Sequence, residues 1–242
     1  MKAMIFAAGL GTRLKPITDT LPKALVPICG KPLLEHVLEK LEAAGYDDIV
    51  VNTHHFAELI HGYVAERKGL AKISISHEKD LLLDTGGGVR RAEPLLVGSG
   101  RFLVHNVDII SNLDLKAFAA AVRDDSVSTL VVSERKTSRY LLFDDDLRLV
   151  GWTDVRTGEV KSPFPGLDPS RCRKLAFSGI HMMTDKVFPL MEGWPEKFPI
   201  IDFYLKIAAD HPVHGYIPEA FSMIDVGKLD TLAEAEELFS KH

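Results

Sequence analysis

Residues 4–13 read Met4-Ile5-Phe6-Ala7-Ala8-Gly9-Leu10-Gly11-Thr12-Arg13, an apolar run that leads directly into a turn with two glycines. A buried strand followed by such a turn brings backbone N–H groups close to an anion, because glycine accepts positive φ and has no Cβ to hold the anion away. Arg13 and Lys23 place two positive charges near the same turn. The stretch therefore predicts a strand, a glycine loop and a polyphosphate ligand, most simply a nucleoside triphosphate.

Two common phosphate loops differ from this stretch. The dinucleotide fingerprint needs a third glycine where Leu14 stands, and a Walker loop needs Gly-Lys-Ser/Thr, whereas Gly30-Lys31 is followed by Pro32. A dinucleotide-dependent oxidoreductase also needs an acidic residue at the end of the second strand, where this chain has Asn52-Thr53. That class stays an alternative, and it predicts a change in fluorescence when NADH binds.

Composition narrows the class of protein. The chain has 242 residues, 46% hydrophobic and 26% charged, which is typical of a soluble globular protein. Its 34 acidic and 29 basic residues argue against general nucleic-acid binding, and no run approaches the roughly 20 apolar residues of a membrane span. Cys29 and Cys172 form no Cys-x-x-Cys motif, so we expect reduced thiols in a cytoplasmic protein.

Strand and helix patterns alternate through the first half of the chain. Apolar spacing predicts strands at 2–7, 48–52, 72–77 and 101–105, with helices at 32–43, 56–67, 86–95 and 113–122. Short β-prone runs follow at 129–134, 140–143, 147–152, 175–183, 213–217 and 221–225, with a loop at 153–173 and helices at 198–209 and 231–239. This order predicts an α/β fold: a Rossmann-like, three-layer, mixed and mostly parallel sheet with a small β-rich insertion in the second half.

Polar side chains follow several predicted strands, where ligands of open α/β sheets bind. Asn52 ends one strand, Asn106 and Asp108 follow another, and Asp225 ends a third. Two carboxylates beside a polyphosphate loop suit Mg²⁺, which takes oxygen ligands from carboxylates, phosphates and water. Either aspartate alone could equally be a helix cap or a turn residue.

A second glycine-rich stretch, Asp84-Thr85-Gly86-Gly87-Gly88, lies at the same predicted edge of the sheet. Three glycines are more than a turn requires, and they would let a flat base lie on the backbone. The alternative is that they only relieve backbone strain before a helix. Ser178-Gly179 ends a later strand, and it is interpreted either as part of the ligand cleft or as an ordinary edge-strand glycine.

Taken together, the segments 8–14, 22–27 and 30–33 resemble the signature of the sugar-1-phosphate nucleotidyltransferase family, and the resemblance returns at 84–88, 106–108, 178–179 and 225–227. It implies an enzyme that joins a nucleoside triphosphate to a sugar 1-phosphate, with Mg²⁺ as cofactor and with no nucleic-acid or membrane partner. It also implies one domain over 1–242, with a nucleotide-binding half at 1–125 and a sugar-phosphate-binding half at 126–242. A catalytically silent nucleotide-binding regulator is the alternative, and the oligomeric state stays open.

The resemblance implies three sets of site residues. The nucleotide would contact Ala8, Gly9, Gly11, Thr12, Arg13, Lys23, Asn52, Thr85, Gly86 and Gly87. The sugar phosphate would contact Asp84, Asn106, Ser178 and Gly179, and the metal would bind Asp108 and Asp225. Arg13, Lys23 and Asp108 are the expected catalytic residues.

Two positions depart from the family pattern. Ala24 stands where the family often has proline, and Val107 stands where it usually has glycine. Valine rarely takes positive φ, so a turn that needs the glycine conformation would displace Asp108. The segments 85–88 and 177–179 are similar to short family members that transfer uridylyl to N-acetylmuramate 1-phosphate, and also to members that transfer guanylyl to mannose 1-phosphate.

Overall fold

The computed structural model describes residues 1–239. The strands are β1 (Lys2–Phe6), β2 (Pro27–Ile28), β3 (Lys31–Pro32), β4 (Asp48–Thr53), β5 (Lys72–His77), β6 (Arg101–Asn106), β7 (Ile109–Ser111), β8 (Ser128–Ser133), β9 (Arg139–Phe143), β10 (Leu149–Asp154), β11 (Glu159–Lys161), β12 (Arg173–Thr184), β13 (Val213–Tyr216) and β14 (Met223–Asp225). The α-helices are α1 (Leu33–Ala43), α2 (Ala57–Glu66), α3 (Asp84–Arg91), α4 (Glu93–Leu96), α5 (Leu115–Ala121), α6 (Val187–Leu190), α7 (Ile200–Ile207) and α8 (Leu229–Phe239).

One ten-stranded sheet takes strands from both halves of the chain, in the order β11-β10-β9-β12-β6-β1-β4-β5, with β8 and β13 branching from β12. β6, β1, β4 and β5 are parallel neighbours. The long strand β12 runs antiparallel to β6 and also pairs with β8 and β9, so it joins the two halves. This arrangement confirms the mixed α/β sheet predicted from the sequence.

The three parallel strands β1, β4 and β6 are buried on both faces, which explains their nearly continuous apolar sequences, whereas the edge strand β5 is only partly buried. In β1, Ala3 and Ile5 pack into one hydrophobic core, and Met4 packs into a second core on the opposite face. Val50 and Val51 of β4 divide between the same two cores. Helices cover both faces, and the sheet therefore lies in the middle of three layers.

The structure differs from the predicted elements in three places. The single helix expected at 86–95 is two helices, because Pro94 falls in the first turn of α4 and could not continue α3. The loop expected at 153–173 contains β11, whose three residues are all exposed and so carry no apolar alternation. β7 was not predicted because a three-residue strand is too short to show a period; it pairs antiparallel with β14.

An ion-pair cluster of Arg67, Glu35 and Glu42 connects α1 to the end of α2. Arg67 donates hydrogen bonds to Glu35 and Glu42 of α1, at 2.8 Å from Nη2 to Glu35 Oε1 and 2.7 Å from Nη1 to Glu42 Oε1. Only 6% of the Arg67 side chain is exposed. These hydrogen bonds lower the pKa of Glu42 to about 2. The pair therefore contributes to stability while Glu42 is ionised.

We expect Arg67→Ala to lower the free energy of unfolding by about 3 kcal/mol, because it leaves two largely buried carboxylates without the cation that pairs with them. Arg101→Ala, which removes a pair with the fully exposed Asp124, should cost less than about 1 kcal/mol and is the matched control. Urea unfolding at pH 6 measures both. Equal losses in the two variants would contradict the role given to Arg67.

The same cluster predicts a dependence on pH. Since folding lowers the pKa of Glu42, the stabilisation is complete above the ordinary value near 4.5 and is lost as the pH falls toward about 2. Urea midpoints measured between pH 6 and pH 3 should show the difference between wild type and Arg67→Ala becoming smaller. A constant difference over that range would argue against the assignment.

Candidate active site

A cavity of about 330 Å³ opens where β1, β4 and β6 end. Phe6, the last residue of β1, is in register with Asn52 of β4 on one side and Asn106 of β6 on the other. The cavity is lined by Phe6, Ala7, Ala8, Gly9, Lys23, Asn52, Glu78, Leu82, Asp84, Thr85, Asn106, Val107, Asp108 and Lys197. The carboxyl ends of the parallel strands thus meet at one cavity, as the strand-end rule predicts.

Two aspartates from distant parts of the sequence lie beside this cavity. Asp108 follows β6, and Asp225 ends β14, whose partner strand β7 begins at Ile109. The backbone N–H of Val226 also donates a 2.8 Å hydrogen bond to the carbonyl of Asp108. Pairing of β7 with β14 is therefore what brings the two carboxylates together.

Two cations complete the arrangement. Lys23, which is 9% exposed, forms an ion pair with Asp108. Arg13 lies against Gly227, where a Cβ would be 2.7 Å from both Arg13 Nη2 and Asp225 Oδ1. The four residues predicted as the charged centre, Arg13, Lys23, Asp108 and Asp225, thus lie together, and they are called the charge cluster below.

The electrostatic coupling within the charge cluster appears in Asp225. Surrounding protein removes water from this carboxylate and Asp108 adds a negative charge nearby, and together they raise the pKa of Asp225. Lys23, Arg13 and Arg135 act in the opposite direction. Two carboxylates that repel each other are a suitable pair for a divalent cation. Within residues 1–239, no group of three or more acidic, histidine or cysteine side chains is placed to hold a metal.

The glycine loop fits the prediction at Gly11 and differs from it at Ala8. Gly11 has φ of 64°, and a Cβ there would meet Thr18 Cγ2 at 2.8 Å, so the turn requires glycine. At Gly9, no atom of the chain lies within 4 Å of a Cβ built on the backbone, which leaves open space for a ligand. The backbone N–H groups of Ala7 and Ala8 donate to Asn52 Oδ1 at 2.7 and 3.3 Å. These two N–H groups therefore already have an acceptor within the protein, whereas the sequence predicts that loop N–H groups face an anion.

The second glycine-rich stretch forms the start of a helix. Gly86 and Gly87 lie in the first turn of α3, in agreement with the helix predicted from residue 86, and both are buried. A Cβ at Gly86 would be 2.3 Å from the ring of Phe198, and one at Gly87 would be 2.4 Å from the carbonyl oxygen of Glu196. Close packing against 196–198 therefore explains these two glycines, and contact with a base stays a prediction.

Gly179 makes room for Asn106. It has φ of 72°, and a Cβ there would be 2.7 Å from Asn106 Nδ2. Ser178 is 1% exposed, and its hydroxyl has no hydrogen-bond partner in the described part of the chain. Neither residue lines the cavity, and the same is true of Gly11, Thr12, Arg13, Gly86, Gly87 and Asp225.

Val107 has no left-handed conformation in the turn that carries Asp108. Its side chain is buried, and its N–H donates a 3.2 Å hydrogen bond to the carbonyl of Phe6. The turn of this chain is therefore formed without the glycine conformation, and a displacement of Asp108 stays a prediction. Ala24, at the other departure from the family pattern, is fully buried in a 3₁₀ turn that starts at Lys23.

Two charged lining residues were missed by the sequence analysis. Glu78 directly follows β5, so the strand-end rule that selected Asn52 would also have found it. Lys197 lies in the segment before α7 and carries no sequence signal. Asp84 was expected, and its φ of 62° is a strained conformation for a residue with a side chain, which is common at functional sites.

Comparisons with known proteins agree with this geometry. The chain is 36% identical over 228 residues to the N-acetylmuramate alpha-1-phosphate uridylyltransferase of Caulobacter vibrioides, covering 91% of this chain and 90% of the relative. A mannose-1-phosphate guanyltransferase of Hypocrea jecorina is 35% identical over 144 residues, which is 58% of this chain and 40% of that protein. Within residues 1–239, no helix is long and apolar enough to cross a membrane.

Solved structures share the fold along the whole chain. HddC from Yersinia pseudotuberculosis, crystallised with GMP-PN, superposes with a TM-score of 0.76 at 25% identity, covering 98% of this chain and 99% of HddC. A UDP-glucose pyrophosphorylase bound to UDP-glucose has the same fold, with a TM-score of 0.79 at 20% identity over 99% of this chain and 98% of that protein. The sequence profile described as nucleotidyl transferase matches residues 2–241, and the chain belongs to that family.

Proposed function

We propose that the protein transfers a nucleotidyl group from a nucleoside triphosphate to a sugar 1-phosphate, with release of pyrophosphate. The observation that carries this proposal is the charge cluster at the edge of a cavity that a glycine loop lines. The names of the relatives from Caulobacter vibrioides and Hypocrea jecorina support the same class of acceptor. The alternative, a nucleotide-binding regulator without catalysis, is less consistent with four intact charged residues.

The reaction needs cations more than it needs a base. A phosphate monoester has a second pKa near 6, so the acceptor oxygen that attacks the α-phosphorus is already an anion at neutral pH. Like charges at about 4 Å repel by roughly 4 kcal/mol at an effective dielectric constant near 20. Bringing two phosphates together therefore depends on positioning and on neutralisation of charge.

The charge cluster can supply this neutralisation. Arg13 is exposed beside the glycine loop, where it would hold the leaving phosphates, and Lys23 would bridge the phosphates around the point of attack. Lys23 pairs with Asp108, and both side chains line the cavity. Asp108 and Asp225 would hold Mg²⁺, which supplies further positive charge to phosphate oxygens when it is bound.

The remaining predicted contacts divide between the nucleotide and the acceptor. Of those on the nucleotide side, Ala8, Gly9, Asn52 and Thr85 line the cavity, which supports a nucleotide-binding half at 1–125. On the acceptor side, Asp84 and Asn106 line it as well. Ser178 and Gly179 would act from behind Asn106, and they support a sugar-phosphate-binding half at 126–242.

A second cavity, of about 520 Å³, bears on the identity of the acceptor. Its wall contains three cations and two acids beside the half-buried ring of Trp152: Arg135, Arg139, Lys161, Glu159 and Asp202. Lys161 Nζ lies 3.7 Å from Asp202 Oδ1, whereas Arg135 forms no ion pair within the described residues and acts on Asp225 of the charge cluster. Arg135 therefore favours an acceptor with an anionic group besides its phosphate.

N-acetylmuramate 1-phosphate fits this description, because its lactyl ether ends in a carboxylate. We therefore propose it as the acceptor, with UTP as the donor, in line with the relative from Caulobacter vibrioides. Mannose 1-phosphate with GTP is the alternative, in line with the relative from Hypocrea jecorina.

A panel of four nucleoside triphosphates against N-acetylmuramate, mannose and glucose 1-phosphates tests both levels of the proposal, with pyrophosphate release as the readout. UTP with N-acetylmuramate 1-phosphate should give the highest kcat/KM. A preference for GTP with mannose 1-phosphate would replace the proposed pair and keep the class of reaction. Nucleotide binding without any pyrophosphate release would favour the regulatory alternative.

Lys23→Ala and Asp108→Asn should each lower kcat by about 100-fold or more while the protein stays folded. The first removes a positive charge that would neutralise the reacting phosphates, and the second removes a negative charge that would hold Mg²⁺. Lys15→Ala is the matched control, since Lys15 is exposed and pairs with the nearby Asp19 at 2.9 Å. Pyrophosphate release measures turnover, and circular dichroism checks folding. Unchanged turnover in either variant would refute the assigned role.

Removal of divalent cations with EDTA should abolish turnover, and Mg²⁺ should restore it. Asp225→Asn should raise the Mg²⁺ concentration needed for half-maximal activity, because one carboxylate is lost from the pair. Asp145→Asn, in an exposed turn, should leave that concentration unchanged. Full activity in EDTA would contradict the placement of a metal on the two carboxylates.

A further inference from the structure

Glu78 is an unexpected residue in the wall of a cavity that would hold a polyphosphate. It lines the cavity and is only 1% exposed. Burial raises its pKa, as is usual for a carboxylate removed from water. A buried negative charge is unfavourable unless its oxygens receive strong hydrogen bonds, so the donors around Glu78 indicate what it does.

Both oxygens of Glu78 accept hydrogen bonds from the chain. Oε1 accepts from Asn52 Nδ2 at 2.7 Å, and Oε2 accepts from the backbone N–H of Leu83 at 2.8 Å. The other end of the Asn52 amide, Oδ1, accepts from Ala7 and Ala8 of the glycine loop. One carboxylate thus links the glycine loop, the end of β4 and the segment that leads to Asp84.

The direction of every hydrogen bond in this network is fixed. The groups at the two ends are backbone N–H donors, which cannot reverse, so Asn52 must present its oxygen to the loop and its NH₂ to Glu78. Position 78 must then accept from two donors at once. Only a carboxylate offers two acceptor oxygens in this shape, whereas glutamine offers one oxygen and one NH₂.

Neighbouring atoms hold the network in place. A Cβ at Gly88 of α3 would be 2.9 Å from Glu78 Oε1 and 3.1 Å from Asn52 Nδ2. Asn52 is 2% exposed, so water cannot replace a lost partner without rearrangement. The absence of a side chain at Gly88 is therefore part of the same arrangement.

We propose that Glu78 is a positioning residue for nucleotide binding: through Asn52 and Leu83 it sets the glycine loop against the segment that carries Asp84 and Thr85. This proposal rests on the proposed function, because it takes the cavity to be the nucleotide site. Glu78 acts through its neighbours and not by contact with the reacting atoms. The glycine loop and the segment at 83–85 keep their spacing only while the Glu78 carboxylate accepts hydrogen bonds from both Asn52 and Leu83.

Glu78→Gln tests the polarity of the network with almost no change of shape. The new NH₂ must face either Asn52 Nδ2 or the N–H of Leu83, so that one donor faces another. If the Asn52 amide turns over, its NH₂ faces the N–H groups of Ala7 and Ala8 instead, and two donors still face each other. We expect the KM for the nucleoside triphosphate to rise about tenfold, with a smaller change in kcat. Glu66→Gln, at an exposed acid on α2, is the matched control and should change neither.

A double variant provides the decisive comparison. Asn52→Asp alone places two carboxylates face to face and should also raise KM. When Asn52→Asp is combined with Glu78→Gln, the new carboxylate accepts from the loop and from the new side-chain NH₂. The oxygen of that new amide accepts from Leu83, so every donor again has an acceptor. KM should then be lower than in either single variant, because each substitution removes the mismatch that the other creates. The proposal would be overturned if the increase in KM of the double variant equalled the two single increases combined. In that case the charge of Glu78 would act directly, and moving it to position 52 would not rescue binding.

Binding of a non-hydrolysable triphosphate, measured by calorimetry without acceptor, separates this proposal from the proposed function. If the wild-type protein binds no nucleotide, the proposed function fails. If it binds and Glu78→Gln binds equally well, only the role of Glu78 fails. Should Glu78→Gln not fold, Gly88→Ala displaces the carboxylate while keeping all donors and acceptors, and it should weaken binding in the same way; unchanged binding there would overturn the proposal too.

Discussion

Repulsion between Asp108 and Asp225 is the constraint on which the site depends. The two carboxylates come from positions more than a hundred residues apart, and the pairing of β7 with β14 holds them beside each other. Lys23 and Arg13 bring positive charge close to this pair from the amino-terminal loop. This arrangement of two acids and two cations suits the cavity to receive a polyphosphate with a divalent cation.

The parallel part of the sheet gives this balance a rigid base. Phe6, Asn52 and Asn106 lie level with one another on three adjacent strands, so the loops that follow start from fixed points. Residues at strand ends are placed by the register of the sheet, and residues inside the loops are placed by local hydrogen bonds. This difference explains why some of the site could be foreseen and some could not.

The sequence was sufficient for the family and the mixed α/β sheet, both of which are confirmed, because long apolar strands and a glycine-rich turn leave clear patterns. It also indicated Lys23 and Asp108, which form an ion pair. Glu78 was missed although it directly follows β5, where the strand-end rule that selected Asn52 also applies. The packing of Gly86 against Phe198 could not be predicted either, since it joins segments more than a hundred residues apart.

That packing has a consequence for the independence of the two halves. Three consecutive glycines weaken a helix by about 1 kcal/mol each relative to alanine, so α3 has little tendency to form by itself. It is held by the segment at 196–198, whose carbonyl groups and aromatic ring fill the space that side chains would occupy. One wall of the nucleotide cavity is therefore built by the second half of the chain. Recombination that exchanged only the first half between relatives would have to carry a compatible 196–198 segment with it.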